Sequence, residues 1–116
     1  MIAYHGGPPG LRIGQRILPA NKTGVASTAK YGAQGVCDPG KVYVTPLPSA
    51  AAMFASMHPS GDGQVYKVKT EGEVVHDPDC SKFGLSYICD AAWIIGRVRV
   101  KRKTLKRIRK VVMQDT

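Results

Sequence analysis

Aromatic residues make up only 7% of this 116-residue chain, with two Phe, five Tyr and a single Trp. Scattered aromatics argue against the base-stacking platforms of RRM or OB type, and they leave the core to Val, Ile, Leu and Ala. Cysteine is scarce and odd in number. Cys37, Cys80 and Cys89 lie far apart with no C-x-x-C between them, so a disulfide framework is not expected and a reducing compartment is. Long apolar runs are absent: a stretch such as Ala91–Ile95 falls far short of the about 20 residues that a spanning helix needs. The opening Met1-Ile2-Ala3-Tyr4-His5 lacks the basic and apolar regions of a signal peptide, and a soluble, cytoplasmic chain is expected.

Phosphate-binding and metal motifs are missing too. No P-loop or G-x-G-x-x-G occurs, and the prolines of Gly6-Gly7-Pro8-Pro9-Gly10 remove the N–H donors that a phosphate nest uses. His76, Asp77, Asp79 and Cys80 cluster, but Cys37 and Cys89 would have to come from distant segments to complete a zinc site, and no metal is expected. Nothing local marks any Cys–His pair as a nucleophile.

Acidic residues are nearly absent from one region, and that asymmetry is informative. Residues 1–96 carry eight basic and seven acidic groups, whereas residues 97–116 carry nine basic groups against Asp115 alone. The nine are Arg97, Arg99, Lys101, Arg102, Lys103, Lys106, Arg107, Arg109 and Lys110. A near-neutral body with a polycationic end suits a polyanionic partner.

Along the chain, Met1–His5 reads as a short strand stopped by the Gly-Pro cluster, and 21–41 reads as a long loop without period. Val42-Tyr43-Val44-Thr45 is a β-branched strand ended by Pro46 and Pro48. Ser49 is placed to cap a helix over 50–57 with an apolar stripe of Ala50, Met53, Phe54 and Met57. Gln64–Thr70 alternates as a half-exposed strand, Glu73–Val75 is another, Ser81–Asp90 is ambiguous, and Trp93–Val100 is a last strand. Leu105, Ile108, Val111 and Val112 then fall at helical spacing among basic residues. The expected class is α+β and sheet-dominated, with one or two short helices. A body over 1–100 is followed by a basic extension over 101–116, a short amphipathic helix.

His5 at a strand end, Tyr43 inside a strand and Asp77 before a proline are each unremarkable alone. With their flanks they resemble the rifamycin-type (Arr) family of NAD-dependent ADP-ribosyltransferases. Tyr4-His5-Gly6, then Leu11, Gly14, Ile17 and Pro19, is similar to the start of that family, and Val42-Tyr43-Val44-Thr45 with Leu47 and Ala50-Ala51 to its V-Y-[IL]-T strand and following helix. Gly63–Val68, Glu71–Asp79, Ser86-Tyr87 and Trp93–Gly96 resemble its later segments in order, so the likeness covers residues 3–96.

That resemblance implies a small split-sheet ADP-ribosyltransferase core with NAD as substrate and a His-Tyr-acid triad. It implies that His5 hydrogen-bonds the nicotinamide ribose or the pyrophosphate side of NAD, and that Gly6 offers backbone to the carboxamide. Tyr43 would stack on nicotinamide, Tyr87 would form a second wall, and Asp77 would orient the ribose 2′-hydroxyl and stabilise positive charge at C1′. Gly7 stands where the family has Thr or Ser, and the nine-cation segment has no counterpart in the antibiotic-modifying members. The expected acceptor is therefore a macromolecule, nucleic acid or protein, docked by that segment, with a rifamycin next. A toxin or effector role suits the size, in a bacterium or, if phage-encoded, in its host cell. The alternative is a non-enzymatic basic module for nucleic-acid binding or assembly.

Overall fold

A computed structural model describes residues 1–19, 40–78 and 84–114, the last two as backbone only. The strands are β1 (Ile2–Gly7), β2 (Arg16–Ile17), β3 (Val42–Val44), β4 (Gln64–Glu71), β5 (Val75–His76), β6 (Tyr87–Cys89) and β7 (Ala91–Val98). The helices are α1 (Pro48–Ser56) and α2 (Arg102–Gln114). Most of the loop expected over 21–41, with Cys37, Asp79 and Cys80, lies outside the described residues.

The strands form two antiparallel sheets, ordered β1-β4-β7-β2 and β3-β6-β5. The α+β class expected from the sequence is what the chain adopts. Alternation along β1, β4 and β7 turns Ala3, Tyr66, Val68, Ala92 and Ile94 toward the smaller sheet, where they meet Val42, Val44 and Cys89 in one core. On the other face of the larger sheet, Val65 joins Ala51, Ala52 and Ala55 of α1 and Leu105 of α2 in a second core. The two sheets are joined at β1 and β3 by a bridge in which Tyr4 and Thr45 exchange backbone hydrogen bonds of 2.7 and 2.9 Å.

Helix α1 departs from the expected pattern in two ways. It begins one residue earlier than Ser49, with Leu47 at the cap position, no side-chain cap and Pro48 at the start, where a fixed φ favours the helix and no N–H is wasted. Its buried side is Ala50, Ala51, Ala52, Ala55 and Ser56, while Met53 is 49% exposed. The reason lies in two distant glycines. A Cβ at Gly6 would sit 2.1 Å from the Ala51 carbonyl oxygen, and one at Gly63 would sit 2.0 Å from that of Ala55. Only a small-residue face can approach the sheet so closely, so Met53 turns outward.

Helix α2 forms with Leu105 buried and Ile108 packed against the second core, and it lies against α1. Val111 is exposed. At about 100° per residue it stands roughly 120° from Leu105 around the axis, whereas Val112 stands within about 20°. At the opposite edge, the short β2 is held by a bidentate Arg16–Glu71 pair (2.8 and 2.7 Å), and Trp93 Nε1 donates to the same carboxylate at 2.9 Å. No helix of the described residues is long and apolar enough to cross a membrane.

Candidate functional site

The fold brings His5 and Tyr43 together across the junction of the two sheets. His5 Nδ1 donates to the Tyr43 carbonyl oxygen at 2.8 Å. A carbonyl can only accept, so the proton is on Nδ1 and the neutral ring leaves Nε2 as an acceptor. Burial pushes the His5 pKa below the ordinary histidine range, and the Tyr43 carbonyl, which favours the charged form, opposes this in part. The residue as a whole is half-buried. It is therefore a fixed hydrogen-bond acceptor, suited to a hydroxyl donor such as a ribose.

Gly7 lies against that acceptor, since a Cβ there would come 3.0 Å from His5 Nε2. Tyr66, the strand partner of His5, is fully buried, and its hydroxyl donates to the Pro8 carbonyl and accepts from the Leu11 N–H. This pins the Gly-Pro loop beside His5. Burial raises the Tyr66 pKa, so the phenol stays protonated as a donor. Sequence alternation marked Tyr66 only as a strand residue; its loop-holding role depends on a contact 58 residues away.

Tyr43 and Asp77 share one face of the smaller sheet. Tyr43 pairs with Ile88 and Ile88 with Val75, and the next paired row on that side sets Ser86 beside Asp77. Asp77 N–H donates to the Ser86 carbonyl at 2.9 Å, and Ser86 Oγ donates to Asp77 Oδ2 at 3.0 Å. Both residues are buried, Asp77 to 5% exposure. Two strand spacings, about 10 Å, separate β3 from β5. Ser86 thus helps to fix the carboxylate, and only the Ser86-Tyr87 dipeptide marked it in the sequence.

Tyr87 pairs with Val44 and His76, one row away from Tyr43, so alternation places it on the opposite face of the sheet. There it meets His76 edge-on at 6.2 Å and packs against the inter-sheet core. Gly6 turns its Cα toward α1, so the helix contact by itself requires glycine at that position.

Of the nine cations between 97 and 110, Arg102 pairs with Asp62 at 3.1 Å, and no other is in an ion pair among the described residues. All nine but Arg109 are exposed. Gln64 exchanges hydrogen bonds with the Val100 backbone (3.3 and 3.2 Å), shaping an open cavity of about 600 Å³ that Arg99, Lys101 and Arg102 also line. No three His, Cys, Asp or Glu side chains converge among the described residues. No protein-family model matches the chain, and no curated protein matches it.

Proposed function

We propose that the chain is a mono-ADP-ribosyltransferase that cleaves NAD at the nicotinamide glycosidic bond and passes ADP-ribose to an acceptor. The observation that carries this reading is the His5–Tyr43 hydrogen bond at the sheet junction, which leaves His5 Nε2 free to accept from a ribose hydroxyl. Tyr43 offers a ring to the nicotinamide on the face that also carries Asp77. Departure of nicotinamide leaves an oxocarbenium-like C1′, which a fixed carboxylate stabilises, and the Ser86 hydrogen bond helps to fix it. The acceptor nucleophile then attacks C1′, and its proton leaves to solvent.

For the acceptor the favoured class is a macromolecule, with a rifamycin next. Eight cations that form no ion pair among the described residues and a basic cavity favour a polyanion. The apolar side of α2 is spent on the core through Leu105 and Ile108, which argues against that helix lying in a bilayer surface. The same cations support a second reading, a basic module that binds nucleic acid without catalysis.

The test is transfer from labelled NAD to RNA, DNA, bacterial lysate protein and rifampicin, each over a salt series. Macromolecular transfer is expected to fall steeply with salt, and rifampicin transfer to be nearly flat. Salt-sensitive nucleic-acid binding with no transfer to any acceptor would select the second reading.

A further inference from the structure

Arg97 belongs to the C-terminal cations by sequence, but strand register assigns it elsewhere. In the larger sheet His5 pairs with Tyr66, and Tyr66 pairs with Arg97. Directly opposed residues in antiparallel strands point to the same side. His5, Tyr66 and Arg97 therefore form one row on the face turned toward the smaller sheet, and Arg97 stands two strand spacings, about 10 Å, from His5.

A β-bulge creates this row. Lys67 pairs with Gly96 while the adjacent Val68 pairs with Ile94, so Ile95 is an extra residue in β7. Without it, Tyr66 would face Gly96, and Arg97 would fall beside Val65 on the helix-covered side. A one-residue slip moves a side chain from one face to the other, and bulges beside sites re-aim side chains in this way. The Arg97 charge is felt at the Tyr66 phenol, whose pKa it lowers against the larger effect of burial. Among the described residues no carboxylate pairs with Arg97, and its side chain is exposed.

We propose that Arg97 is the anion-binding residue of the His5 site and seats the diphosphate of NAD, a role that rests on the transferase reading given above. In NAD the diphosphate follows the nicotinamide ribose directly. With a ribose hydroxyl at His5 Nε2, the diphosphate would reach the guanidinium over the Pro8–Leu11 loop, which covers the buried Tyr66. The planar N–H fork of arginine matches paired phosphate oxygens, which an ammonium does not. Arg97 is thus a substrate-positioning group, separate from the cations of α2.

Calorimetry on wild type, Arg97→Gln and Arg97→Lys, each checked for folding by circular dichroism, tests this with three probes: NAD, nicotinamide riboside and inorganic pyrophosphate. Arg97→Gln is expected to weaken NAD and pyrophosphate roughly ten- to a hundredfold and to leave nicotinamide riboside unchanged, with partial recovery in Arg97→Lys. Equal weakening of NAD and nicotinamide riboside would make Arg97 merely structural, and unchanged NAD and pyrophosphate affinity would overturn the proposal outright. Pyrophosphate binding that depends on Arg97, in a wild type that binds neither NAD nor the riboside, would uphold the anion site while removing the transferase reading.

Discussion

Replacing Gly6 with Ala tests the contact that sets α1 on the sheet. The new Cβ would lie 2.1 Å from the Ala51 carbonyl oxygen and 2.7 Å from the Ala55 nitrogen, where ordinary contact begins at 3.4 Å. Both opposing atoms are backbone, so no rotamer change or side-chain truncation on α1 relieves the overlap. The helix must move by about 1.3 Å along that contact, and the move loosens Val65, Ala52 and Leu105 with it. Overpacking of this kind costs about 1–3 kcal/mol, and two backbone contacts at once put Gly6→Ala at the upper end. The entropy gained by removing a strand glycine offsets roughly 0.5–1 kcal/mol. A net loss of about 2 kcal/mol is expected, a large share of the roughly 5–15 kcal/mol typical of a domain. Urea denaturation followed by circular dichroism measures it, with Gly96→Ala as the control. A Cβ at Gly96 meets Lys67 Cβ at an ordinary 3.6 Å, so that variant is expected to be neutral or slightly more stable. Equal midpoints for Gly6→Ala and wild type would refute the close helix approach, and with it the explanation of the exposed Met53.

Other consequences are as direct. The Cys89 pKa is pushed up to about 11, chiefly by burial, so about one thiol in a thousand is ionised at pH 8. Peptide-resolved iodoacetamide labelling should find Cys89 slow in the folded chain and fast in urea; rapid labelling without denaturant would contradict its burial. His5 has a lowered pKa when folded, so the unfolded chain binds the extra proton first as pH falls. The stability it contributes is full above about pH 6.5 and is lost below that, down through the folded pKa. Between pH 7 and 5.5, His5→Gln should flatten the decline in stability. Part of the slope will persist because burial also lowers the His58 pKa, and an unchanged slope would deny His5 its place.

Much of this architecture is legible in the sequence because it rests on local periods. Alternation in Gln64–Thr70 gives β4, and Leu105 and Ile108 at helical spacing give α2. The meeting of His5 and Tyr43 is encoded by neither local segment and arises from the long-range β1–β3 bridge. Other features depend on long-range geometry. The buried side of α1 could be its large residues or its alanines, and Gly6 and Gly63 decide between them. The Ile95 bulge leaves no mark on the hydrophobic pattern yet moves Arg97 from one face to the other. Ser86 acquires its role only when the β5–β6 pairing brings it to Asp77.

The central claim is that His5 and Asp77 serve the cleavage of NAD. Nicotinamide release from NAD, measured for wild type, His5→Ala and Asp77→Asn under identical conditions, tests it most directly. The account predicts release by the wild type and its loss in both variants, with circular dichroism showing both still folded. No release by the wild type, alone or with any acceptor, would contradict it, as would undiminished release by folded Asp77→Asn.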